Sequence, residues 1–172
     1  MALRDRQVRE VMLNLQRLKK LPQVLDEEMS EIAHEVQQTA RAMAPVEYGG
    51  LKSAIKVRRT AATEKGAKGF VKGKSSFYVY IDPTQPAIGR KENFVGEYAW
   101  LVHEHMGYGG TVGAIMPSKE SIAAGLAEGE IAGGRFMDRA MLKHRGKVRA
   151  KLTRKCRQFI NHRDFVANRV DK

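Results

Sequence analysis

Between Pro22 and Pro45 the apolar residues recur at one spacing: Leu25, Met29, Ile32, Val36, Ala40 and Met43. Steps of three and four place them on one face of an α-helix. Pro22 suits the first helical turn, where a missing N–H costs nothing. Asp26, Glu27 and Glu28 suit the positive end of the helix dipole. Pro45 disfavours helical geometry at Ala44, so the helix stops there. An apolar face of this length has to lie on a partner layer, which the rest of the chain must supply.

Two further stripes of the same kind flank it. Val8, Val11, Met12, Leu15 and Leu18 predict an amphipathic helix over 4–20. Met137, Met141, Val148, Leu152, Cys156 and Phe159 predict a long helix from Arg135, with Asp138 at its start and a basic run behind it. That order complements the macrodipole. The middle of the chain reads differently. In 51–61, LKSAIKVRRTA, Leu51, Ser53, Ile55 and Val57 alternate with Lys52, Lys56 and Arg58, as in a half-buried strand. SFYVYID, 76–82, is aromatic and β-branched and is the strongest strand in the chain. A short strand is expected around Phe70 and Val71. Residues 97–105 read as a further strand, with Tyr98, Trp100 and Val102 on one face and Ala99 and Leu101 on the other. Ser118 is placed to cap a short helix that buries Ile122, Ala123 and Leu126. The expected class is α+β: N-terminal helices and a long C-terminal helix packed on a small, mainly antiparallel β-sheet. One domain spans 1–160 and a basic tail 161–172.

Composition narrows the function classes. A chain of 172 residues, 42% hydrophobic, can bury one real core. No apolar run approaches the roughly 18 to 20 residues that span a bilayer. MALRDRQVREV is charged at once and has no signal-peptide core. A single cysteine, Cys156, makes no internal disulfide, and a reducing cytoplasm is the expected place of folding. The net charge of +12 is concentrated: residues 139–172 hold twelve Lys or Arg against two Asp, a net +10. Arg145, Lys147, Arg149, Lys151, Arg154, Lys155 and Arg157 are the candidate contacts to a polyanion, whether nucleic acid or an acidic protein face. Phe159 and Phe165 are the only aromatic residues there, too few for a base-stacking platform.

The motifs that suggest chemistry do not hold up. GFVKGKSS, 69–76, is one residue short of a phosphate loop and precedes a strand rather than a helix. On a strand His103 and His105 would share a face and could begin a zinc site, but no further pair of ligands accompanies them. There is no nucleophile elbow and no pair of carboxylates in an apolar setting. The expectation is a protein without catalytic or metal-binding residues.

Three motifs carry a resemblance. APVEYGGLKSAI, 44–55, resembles the pattern Ala-Pro-Val-acid-Thr-Gly-x-Leu-base-x-Ser-Ile of small tail-component proteins of long-tailed bacteriophages, and follows TARAM as the family's helix does. Tyr98, Ala99, Val102 and Glu104 resemble a second family segment, and Gly134, Phe136, Met137 and Ala140 a third at the start of the last helix. They occur in family order. Departures are Tyr48 for Thr, Ala54 for Ser, Arg135 and Arg139 for prolines, and a longer stretch over 111–133. The resemblance gives structural roles to Ala44, Pro45, Val46, Gly49, Leu51, Ile55, Tyr98, Ala99, Glu104, Phe136, Met137 and Ala140. Gly49 or Gly50 takes the positive φ of a turn, and Glu104 serves as an interface or turn partner.

What the resemblance implies is a structural virion protein, made in the bacterial host's cytoplasm. It would act in tail completion or head–tail joining, as a neck ring of commonly six copies around the DNA channel. Its partners would be itself, a head connector, adaptor or stopper protein, the tail terminator or tail tube, and packaged DNA through basic residues. No cofactor and no membrane are implied. From their length and composition, loops 62–75 and 83–96 are expected to be connection arms that order on assembly. The rival readings are a basic nucleic-acid-binding module, a tail terminator, and a metal hydrolase built on His103 and His105.

Overall fold

A computed structural model of the chain describes residues 20–46, 50–61, 75–88, 94–108, 113 and 115–167, together with 9, 12 and 18. At 61, 75 and 161–167 it describes the backbone alone. Residues 9, 12 and 18 are helical and Lys20 is a turn residue at the N-cap of the helix that follows; the rest of the helix expected over 4–20 lies outside the described residues. So do Gly49, the strand expected at Phe70 and Val71, and 62–74 of the lysine-rich loop.

The elements run α1 (Leu21–Met43), α2 (Leu51–Ala54), β1 (Ile55–Ala61), β2 (Ser75–Ile81), α3 (Gly96–His105), α4 (Lys119–Ala127) and α5 (Phe136–Ala167). The class is α+β: α1 packs on a two-stranded antiparallel sheet, and the long α5 packs along α1. Helix α1 holds Pro22 in its first turn and gives way to extended backbone at Ala44, as Pro45 demands. Ile32, Val36, Ala40 and Met43 are buried along it. Because it starts at Leu21, Asp26, Glu27 and Glu28 lie beyond its first turn. Asp26 instead pairs with Arg59 and Glu28 with Lys155, so two of these acids bind neighbouring elements rather than the dipole.

The strands pair with Ile55 opposite Ile81, Val57 opposite Val79 and Arg59 opposite Phe77. Alternation puts Phe77, Val79 and Ile81 half-buried on one face and leaves Tyr78 and Tyr80 exposed on the other. The start of β1 is anchored to α1 through one carbonyl. Ile55 O accepts from Gln37 Nε2 at 2.7 Å and from Arg41 Nη2 at 2.8 Å. Strand β2 lies where the sequence puts it.

Two expected strands are corrected. LKSA, 51–54, is a helical turn and β1 begins only at Ile55. Gly50 precedes it at φ 84°, a conformation open to glycine, and a Cβ there would lie 2.6 Å from the Pro86 carbonyl oxygen. Leu51, Ala54 and Ile55 are fully buried, which is helical spacing rather than alternation. Residues 97–105 belong to helix α3. Val95, Tyr98, Ala99, Val102 and Met106 are buried in steps of three, one, three and four, and Trp100 stands outside. The apolar run reads as a two-faced strand only when Val95 and Met106 are left out of the window.

Helix α4 starts as expected, with Ser118 Oγ accepting from Ser121 N at 3.1 Å. Its buried side is not. Ile122, Ala123 and Leu126 are exposed, while Ser121 and Gly125 face inward. The approach is too close for large side chains: a Cβ on Gly125 would lie 2.8 Å from Ala132 N. Ser118→Ala should cost about 1 kcal/mol in urea unfolding, the usual cost of a lost N-cap. Helix α5 runs through Ala167, so the basic stretch expected to start as a tail at 161 continues as helix, and 168–172 lie outside the described residues. Part of the 83–96 loop is packed: Val95 is fully buried and its N–H donates to Gln85 O at 2.8 Å.

Candidate functional site

The core gathers residues that are far apart in sequence. Ala44, Leu51, Ile55, Tyr98, Ala99, Phe136 and Ala140 are buried in one cluster with Val36, Ala40 and Val102. Met137 packs against it and Pro45 is fully buried. The three motifs therefore meet. Two motif positions point elsewhere. Val46 is exposed, and its N–H donates to Ser121 Oγ at 2.7 Å. Glu104 is exposed and accepts from His103 Nδ1 at 2.7 Å.

The helix at 96–105 separates the two histidines. Residues two apart point to nearly opposite sides of a helix. His103 sits edge-on to Phe136, with centroids 5.1 Å apart, and His105 edge-on to Trp100 at 5.1 Å. Among the described residues no three His, Cys, Asp or Glu side chains gather closely enough to hold a metal ion. No described helix is long and apolar enough to cross a membrane.

Helices α1 and α5 run antiparallel, and their seam is written in charge. Glu28 pairs with Lys155 at 3.4 Å, Glu35 with Lys151, and Thr39 Oγ1 meets His144 Nε2 at 2.8 Å. The numbers rise on one helix as they fall on the other. The hydrogen bond from Lys151 holds the Glu35 carboxyl below the usual carboxylate range. Burial pushes His144 below its usual 6.5, against the pull of Glu35. A base with a lowered folded pKa stabilises fully above its unfolded value and loses that contribution as pH falls through the folded one. Melting temperature should therefore drop between pH 7.5 and 5, and His144→Gln should flatten that drop. Glu35 acts lower, below 4.5, and stays outside this window.

Beside the seam lies an apolar groove of about 790 Å³. Met29, Ile32, Ala33 and Val36 of α1 form its floor, and Phe77 and Val79 of β2 one wall. Met137, Met141, Val148 and Leu152 of α5 form the other. Arg145 and Arg149 border it, both exposed.

The groove divides the expected polyanion contacts. Lys151 and Lys155 are held by α1 acids. Arg145 and Arg149 edge the groove, whereas Lys147, Arg154 and Arg157 are exposed and do not line it. These five make no ion pair among the described residues. Sequence reading missed the groove, and it missed Arg139. That side chain donates to the carbonyls of Ile131, Gly133 and Gly134 and lies 4.3 Å over the Tyr108 ring, closing the turn before α5. No family model, curated protein or solved structure matches the chain.

Proposed function

We propose that this chain is a structural virion protein of the tail-completion or head–tail joining type. It would form an oligomeric ring around the DNA channel and link the head connector to the tail. The observation that supports the reading is the meeting of three motifs, drawn from 44–55, 98–104 and 134–140, in one core. Residues buried in such a core fix a scaffold, and the work falls to surfaces. The chain offers these: an apolar groove, exposed Trp100 and Leu101, and a helix lined with exposed cations. Image reconstruction of intact tailed particles carrying a tagged copy tests the reading. A ring at the neck is expected; a tag confined to the capsid shell or missing from the particle overturns it.

A second reading, a nucleic-acid-binding module, is favoured by the five exposed cations of α5. Each phosphate contact contributes a salt slope of about −0.9 for duplex DNA. DNA binding by the pure protein with a steep slope, lost on reversing Lys147, Arg154 and Arg157, would support it. Tight, sequence-selective binding at physiological salt would place the module above the ring.

A further inference from the structure

Helix α3 turns one face to the core, and on its other face Glu97, Trp100, Leu101 and Glu104 are exposed. Glu97, Trp100, Leu101 and Glu104 fall at i, i+3, i+4 and i+7, a single stripe on the outer side. Trp100 is 67% exposed, and Leu101 and both acids are exposed as well. Two large apolar side chains thus stand between carboxylates about 10 Å apart along the axis. The groove presents the complement. Its interior is apolar, and exposed Met141 and Leu142 continue onto its lip. Arg145 and Arg149 stand beside them, about 6 Å apart along α5. The two surfaces share no residue, so one molecule can use both at once.

We infer that the α3 stripe of one copy docks in the α1–β2–α5 groove of the next. Trp100 and Leu101 enter the groove, and Glu97 and Glu104 meet Arg145 and Arg149. The inference rests on the ring reading and names its contact. A patch that fits a different patch on an identical copy is a head-to-tail contact, the kind that closes into rings. Trp and Arg are enriched among the few residues that carry most of the binding energy near an interface's centre. Other apolar segments of this chain fit the groove less well. Ile122 and Leu126 of α4 share their stripe with Lys119, which has the same sign as Arg145 and Arg149; the one acid among the groove's described lining residues, Asp138, is paired with Arg135. The 4–20 segment carries Arg4, Arg6, Arg9, Arg17, Lys19 and Lys20 against Asp5 and Glu10, and is repelled likewise.

Sedimentation of the full chain across a concentration series tests this. Trp100→Ala and the pair Arg145→Glu with Arg149→Glu should each weaken association at least tenfold. Adding Glu97→Lys and Glu104→Lys to the arginine reversals should restore it. In a Cys156→Ser background, mixing Leu101→Cys protein with Leu142→Cys protein should give a disulfide between the two. All the substituted surface residues are exposed, and unchanged circular dichroism checks their folding. Oligomers indifferent to every variant, with no mixed disulfide, overturn the contact and leave the ring reading standing. A chain that is monomeric at all concentrations and forms no mixed disulfide sinks both. Association lost in the arginine variants but kept in Trp100→Ala assigns the groove to another acidic occupant and overturns the contact.

Discussion

Phe136→Ala should lower the unfolding free energy by roughly 3–5 kcal/mol, the range for emptying a large aromatic site in a core. Phe136 is fully buried at the start of α5, among Tyr98, Val102 and Leu51, with the His103 ring against its edge. Its loss leaves a cavity where the three motif segments meet, and each is held by chain neighbours that restrict collapse. Total stabilities of domains are about 5–15 kcal/mol, so this is a large share. The melting temperature should fall by on the order of 10 °C. Leu142→Ala, on the same helix but 65% exposed, should change stability by less than about 0.5 kcal/mol in the free chain. Urea unfolding of both variants checks the contrast. A Phe136→Ala loss under about 1 kcal/mol would remove that residue from the centre of the core.

The parts of this fold that were legible in the sequence are those fixed by local chemistry. Helix α1 could be bounded because Pro22 and Pro45 act on their own turns and because Ile32, Val36, Ala40 and Met43 keep one period. Strand β2 could be placed because SFYVYID is rich in aromatic and β-branched residues. Helix α3 could not, because YAWLV is apolar enough to satisfy either period over five residues. Its helical period shows only when Val95 and Met106 are counted. The turn at 51–54 failed for a related reason: Gly50 caps it from the left-handed region, which alternation cannot reveal. The groove and the α1–α5 pairs were out of reach altogether. Glu35 meets Lys151 only because two helices lie antiparallel in one register, and nothing within either helix sets that register. Of the basic residues, the sequence marked the whole row and could not say which would be held by acids of α1.

Gly134→Ala should destabilise the chain by about 2–3 kcal/mol, the cost of forcing a group into packed space. A Cβ at Gly134 would fall on the Met106 carbonyl oxygen and lie 3.1 Å from His103 O. Both obstacles are backbone, which cannot swing away as a side chain would. The turn around it is fixed on every side. Arg135 N donates to His103 O at 2.6 Å from a left-handed backbone, and Arg139 spans the carbonyls of Gly133 and Gly134. A shift that relieves the clash must break these bonds or move the end of α3 away from α5. Gly146, inside α5, is the opposite case. Nothing lies within 4 Å of its Cβ position and the residue is exposed, so Gly146→Ala should stabilise by about 0.5–1 kcal/mol through helix propensity alone. The same substitution thus carries opposite signs at two glycines twelve residues apart, and urea unfolding of the two variants reads both. If Gly134→Ala matched wild type, the close passage of α3's last turn against the start of α5 would be wrong, and the meeting of the second and third motifs with it.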